Sequence, residues 1–80
     1  MNRIDIRERL FDVLEDLTAE IFTVDELPYT LKGELKLDTA DCEELSDSVY
    51  NEFGVMISAE EICDDMTLGE LLNRIYEAVN

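Results

Sequence analysis

The residues able to do chemistry are unevenly spread along this 80-residue chain. Between Asp38 and Asp65 stand ten carboxylates: Asp38, Asp41, Glu43, Glu44, Asp47, Glu52, Glu60, Glu61, Asp64 and Asp65. No Lys or Arg falls among them. The hydroxyl of Thr39 follows the first carboxylate, and the thiols of Cys42 and Cys63 lie inside the run. Carboxylate pairs can serve as general acid and base, but every acidic helix has them, and this spacing singles out none. The chain has no His, so neither a Cys–His nor a Ser–His pair can form. Cys42 sits on an apolar stripe, where a packed core cysteine is expected rather than a nucleophile. The chain is therefore not expected to be an enzyme.

A metal site is not expected either. From Asp38 onward the calcium-loop pattern fails, because Ala40 and Cys42 stand where oxygen ligands belong and no Gly fills the sixth place. No Cys/His spacing suggests zinc. A loose cation atmosphere around Glu60, Glu61, Asp64 and Asp65 would relieve self-repulsion, weakly and without selectivity.

Across the whole chain 21 Asp and Glu stand against 6 Lys and Arg, for a formal net charge of -15. Nucleic acid and anionic membrane surfaces are excluded as expected ligands, since binding either depends on Lys and Arg displacing counterions. Basic protein surfaces are the complementary partners. The apolar share of 46% is that of a foldable chain, not of a disordered acidic tail. At this length one domain spanning 1–80 is expected, burying roughly 60% of its extended-chain surface. Two cysteines make no disulfide framework, Met1 to Arg7 lacks the apolar region of a signal peptide, and no apolar run approaches a membrane span. Reduced thiols, a cytoplasmic location and a monomer are the expectations.

These residues must be positioned by helices. Ile6, Leu10, Val13, Leu17 and Ile21, widened by Phe11 and Leu14, recur at helical spacing, so the first helix is expected at about 5 to 20, with Asp5 and Glu8 as its capping box. From Thr23 to Leu37 no period holds. A long structured loop is expected there, pinned by Leu31 and Leu35. Asp38 is a plausible N-cap for a second helix at about 39 to 53, whose stripe is Cys42, Leu45, Val49 and Phe53 and whose stop is Gly54. Ser58-Ala59-Glu60-Glu61 opens a short helix ending near Asp64, and Thr67-Leu68-Gly69-Glu70 opens a last one with the stripe Leu68, Leu71, Leu72, Ile75 and Val79. Tyr50 and Tyr76 are expected at helix edges with their hydroxyls in water, and Met56 and Met66 in the core. No segment reads as a strand. The fold class is all-α: three principal helices, one short helix and a long first loop.

Asp38-Thr39-Ala40-Asp41-Cys42-Glu43-Glu44-Leu45, followed by Phe53-Gly54 and Ile57, resembles the Asp-Ser-Leu-Asp segment and second helix of acyl carrier proteins. Leu31 and Leu35 match the apolar loop residues before that motif. Ser58 to Glu61 matches the start of the family's short third helix, Thr67 to Glu70 resembles its Thr-Val-Gly-Asp, and Ile6 to Leu10 resembles its first-helix opening. The resemblance spans nearly the whole chain, least securely from Thr23 to Pro28. It implies a 4'-phosphopantetheine arm carrying acyl or aminoacyl thioesters on the residue after Asp38. Its implied partners are a phosphopantetheinyl transferase and loading or modifying enzymes, docked through Asp38, Asp41 and Glu44, with Glu43 and Asp47 on the same face.

The resemblance breaks at the attachment position, where the family's serine is Thr39. The secondary hydroxyl and β-methyl restrict χ1 and crowd an in-line attack on coenzyme A. Ser46 and Ser48 are out of register with Phe53 and do not replace it. Ala40, Glu43 and Asp47 also stand where the family has apolar contacts, which implies a specialised or divergent member. The alternative is an unmodified adaptor or regulatory protein binding basic surfaces. A decoy mimicking a nucleic-acid surface has only the charge in its favour.

Overall fold

The computed structural model describes residues 2–79. Four α-helices follow in order: α1 (Arg3–Thr18), α2 (Thr39–Phe53), α3 (Ala59–Cys63) and α4 (Leu68–Val79). A single 3₁₀ turn, Val24–Glu26, lies in the long connection between α1 and α2. The all-α class, with three principal helices and a short one, is what the spacing of apolar residues and caps predicts. No strand occurs among the described residues, only an isolated antiparallel bridge between Thr30 and Thr67.

Each helix is started by local chemistry. The Asp38 side chain accepts from the Asp41 N–H at 2.8 Å while the Asp41 carboxylate accepts from the Asp38 N–H at 3.3 Å, so two otherwise orphaned donors at the start of α2 are satisfied. Gly54, at φ 71°, stops the helix in the left-handed region. Thr67 and Glu70 make the same reciprocal bonds before α4. Ser58 accepts from the Glu61 N–H, but the Glu61 carboxylate reaches Arg74 of α4 instead of closing a box.

α1 departs from expectation at both ends. It begins at Arg3, capped by Asn2, whose side chain accepts from the Asp5 N–H; Asp5 is thus inside the first turn and not the cap. It ends at Thr18, whose hydroxyl bonds the Leu14 carbonyl, and Ala19 closes it in the left-handed region at φ 60°. Ile21 therefore lies beyond the helix and is 77% exposed, while Phe22 takes the buried place.

The core draws Ile6, Leu10 and Leu14 from α1, Cys42, Leu45 and Val49 from α2, Ile62 from α3, and Leu68, Leu71, Leu72 and Ile75 from α4. Connections add Phe22, Leu31, Leu37, Val55, Ile57 and Met66. α2 packs on α1 and α3, and α4 packs on α1. The first loop is pinned by Leu31 and Leu37, which are fully or almost fully buried, whereas Leu35 is half-buried. Its backbone is tied to the start of α4 by Leu31 N–H to the Met66 carbonyl, Leu68 N–H to Tyr29 and Gly69 N–H to Leu27. A Cβ on Gly69 would stand 3.1 Å from the Leu27 oxygen, so this approach favours glycine.

Two further expectations are corrected. Met56 is 77% exposed, because the extended segment after Gly54 alternates and turns Val55 and Ile57 inward. Tyr76 is buried, with its hydroxyl donating to the Arg3 carbonyl at 3.0 Å and the Arg3 guanidinium 4.6 Å from its ring centroid. Tyr50 is exposed, and Met66 is in the core, both as expected.

Candidate functional site

The first turn of α2 is where the loop, α2 and α3 meet. Thr39 is its first residue and is exposed, as is the capping Asp38. The Asp38 carboxylate is engaged by the Asp41 N–H, so its role here is to hold the helix start. Thr39 lines a cleft of about 300 Å³ together with Lys32, Glu43, Ala59, Glu60 and Cys63. Lys32 comes from the loop, Ala59, Glu60 and Cys63 from α3. The first intrahelical bond is Cys42 N–H to the Asp38 carbonyl, which leaves the Thr39 and Ala40 N–H groups at the open, electropositive end of the helix.

Three of the five expected docking residues share the outward face of α2. Winding at about 3.6 residues per turn sets Glu43, Glu44 and Asp47 opposite the buried Cys42, Leu45 and Val49, and all three are exposed. Glu44 and Asp47 border a groove against Val13, Asp16 and Leu17 of α1. Glu43 borders the Thr39 cleft on the other side. Asp41 is half-buried and turns toward Leu35, Lys36 and Leu37 of the loop. The acidic surface thus wraps around α2, with Thr39 and Asp41 on its two edges.

Lys32 and Lys36 are the site residues that sequence reasoning missed. They flank the start of α2 from the preceding loop, and the signal was present, since both precede Asp38 by six residues or fewer. Cys63 was missed because only the packing of α3 brings it to Thr39. Ser46, discounted as an attachment position, is in fact structural: its hydroxyl donates to the Ile57 carbonyl and ties the segment after Gly54 to α2.

Cys42 is fully buried beneath this site, and burial first, then interaction with the neighbouring Cys63 thiol, pushes its thiol up from an ordinary 9.0 to about 12. Both cysteines are free. Among the described residues no group of three or more Cys, Asp or Glu is arranged to hold a metal ion, and no helix is long and apolar enough to cross a membrane.

No family model, curated protein or solved structure matches the chain. The functional reading therefore rests on the site itself and on the sequence resemblance.

Proposed function

We propose that this chain is an acyl-carrier-protein-like module, acting as a cytoplasmic monomer, with Thr39 as its attachment position. The observation that carries the reading is the exposed Thr39 at the head of a capped helix, on the rim of a cleft and beside an outward acidic face. The site's donors fit a phosphodiester: the Thr39 and Ala40 N–H groups at the open end of α2, and the Lys32 ammonium lining the same cleft. Glu43 and Glu60 oppose it there, so Lys32 balances a mixed field.

A 4'-phosphopantetheine arm, when attached, supplies a terminal thiol that holds acyl or aminoacyl groups as thioesters. The chain's own residues hold the helix start, through Asp38 and Asp41, and present Glu43, Glu44 and Asp47 to basic patches of the transferase and of the loading and modifying enzymes. Catalysis belongs to those partners.

One observation favours a second reading, the unmodified adaptor. Thr39 carries a β-methyl where the family has a serine, and a transferase shaped for serine would be crowded by it. In that reading the acidic face binds basic protein surfaces and nothing is attached.

Incubation with coenzyme A and a broad-specificity phosphopantetheinyl transferase, followed by intact mass, separates the two. The carrier reading expects the wild type to gain the arm. Loading of Thr39→Ser alone would favour the adaptor, and loading of neither protein would sink the family assignment or its docking face.

A further inference from the structure

The seam between α1 and α2 is closed at one end and open at the other. On α1, Arg9, Val13 and Leu17 follow one another at intervals of four, and on α2 Glu44, Ser48 and Glu52 do the same, so each set makes one row along its helix. The rows run antiparallel, since Arg9 meets Glu52 at 3.2 Å while Val13 and Leu17 lie with Glu44, Asp47 and Ser48. At one end the chain's own guanidinium therefore bridges the two helices. At the other, α1 offers Leu17 instead of a base, and the seam stays open as a groove of about 370 Å³. Val13, Leu17 and Ser48 are half-buried and make its floor, the first two packed on the core; Asp16, Glu44 and Asp47 are exposed and make its rim. No Lys or Arg lines the groove, and among the described residues neither ion pair involves a rim carboxylate.

We propose that this groove between α1 and α2 is a docking site for an arginine anchor on a basic amphipathic helix of a partner protein. The aliphatic stem of the arginine lies over Val13 and Leu17, and its guanidinium reaches the rim carboxylates of both helices, as Arg9 of α1 reaches Glu52 of α2 further along the same seam. An apolar residue one turn away on the partner helix covers the rest of the floor. Arginine is favoured over lysine for two reasons. Its planar fork bonds carboxylates from two helices at once, and its head is the more weakly hydrated, so it gives up water more readily beside an apolar floor.

Charge decides against the other occupants. A second copy of the chain would bring its own net charge of -15 to an acidic rim, and nucleic acid or an anionic lipid surface would be repelled in the same way. An uncharged apolar helix would strip water from the rim carboxylates and give them no partner. The proposal rests on the outward acidic face of α2 that both functional readings use, adds a wall of α1 to it, and is independent of whether Thr39 carries an arm.

The test titrates the isotope-labelled full chain with a capped alanine–lysine helical peptide carrying one leucine and, one turn on, one arginine, and follows backbone amide shifts by NMR at low salt. Saturable shifts should centre on Val13, Asp16, Leu17, Glu44, Asp47 and Ser48. Replacing the peptide's arginine by lysine, or its leucine by alanine, should weaken binding about threefold or more in each case. Asp16→Asn should weaken it by about threefold as well, whereas Glu77→Gln, an equal change of charge on α4, should leave it unchanged. Shifts centred on Glu43 and the Thr39 cleft would overturn the groove while leaving α2 as a docking helix. Equal binding of the lysine peptide, or wild-type affinity in Asp16→Asn, would overturn the arginine anchor, and the absence of any saturable shift would overturn the site altogether. Loading of Thr39 by the transferase is read separately, so the carrier reading stands or falls on its own result.

Discussion

At the scale of single residues, Cys42 couples the start of α2 to pH. Burial and the Cys63 thiol raise it to about 12 in the folded protein from an ordinary 9.0, which is the value it regains on unfolding. Below pH 9.0 both states hold the proton and its contribution to stability is fully present. Between 9.0 and about 12 the native state holds more protons than the unfolded one, so stability falls as pH rises. The slope from this one group is at most about 1.4 kcal/mol per pH unit. Urea unfolding in reducing buffer from about pH 8 to about pH 10.5 should therefore show a steeper alkaline loss for the wild type than for Cys42→Ala. Coincident slopes would mean that the thiol does not keep its proton. The same residue bears on Thr39, because the buried Cys42 fixes the rotation of α2 and so which side of its first turn faces the cleft.

At the scale of elements, the two ends of α2 rest on different physics. Its start is held by the reciprocal Asp38 and Asp41 bonds, its end by a backbone conformation that L side chains resist, Gly54 at φ 71° with no heavy atom near a would-be Cβ. Gly54→Ala therefore has space but not conformation, and should cost about 1 kcal/mol in chemical denaturation, with Gly54→Asn costing less. Equal stability of all three proteins would show that α2 ends without the left-handed residue. The start of α2, the Ser58 start of α3 and the Thr67 box of α4 were legible in the sequence because each rests on residues three apart, and the end of α2 was legible because Gly54 marks it. α1 was misread because Asn2 and Asp5 are both competent caps, and the choice between them is tied to contacts from 73 residues away, where Tyr76 meets Arg3. Met56 was misread for want of a period, since the segment between α2 and α3 is extended and turns every second residue outward. The candidate site divides in the same way. Asp38, Thr39 and the outward carboxylates of α2 follow from helical winding, whereas Lys32 and Cys63 arrive there only through the packing of the loop and α3.

At the scale of the whole molecule, charge is the dominant unbalanced force. Among the described residues only two ion pairs offset it, Arg9 with Glu52 at 3.2 Å and Arg74 with Glu61 at 2.8 Å, all four side chains well exposed. Exposed pairs of this kind are worth at most about 1 kcal/mol each. The pairs do tie elements together, α1 to α2 and α3 to α4, but 21 acidic residues share 6 basic ones. The molecule measures 29 × 24 × 20 Å. At about 0.01 M salt the screening length is about 30 Å, so carboxylates on opposite sides repel one another; at about 1 M it is about 3 Å, and only neighbours do. Unfolding spreads these charges apart, so repulsion penalises the compact state most at low salt. Raising NaCl from about 0.01 M to about 0.5 M should therefore raise Tm, each 1 kcal/mol or so of relief appearing as roughly 4–8 °C in a domain of this size. Binding of a basic partner to α2 should move in the opposite sense, weakening over the same range as its attraction is screened. The two salt responses are opposed because one charge distribution serves both, and a Tm that falls as NaCl rises would show that the two ion pairs and the lysines flanking α2 outweigh the repulsion.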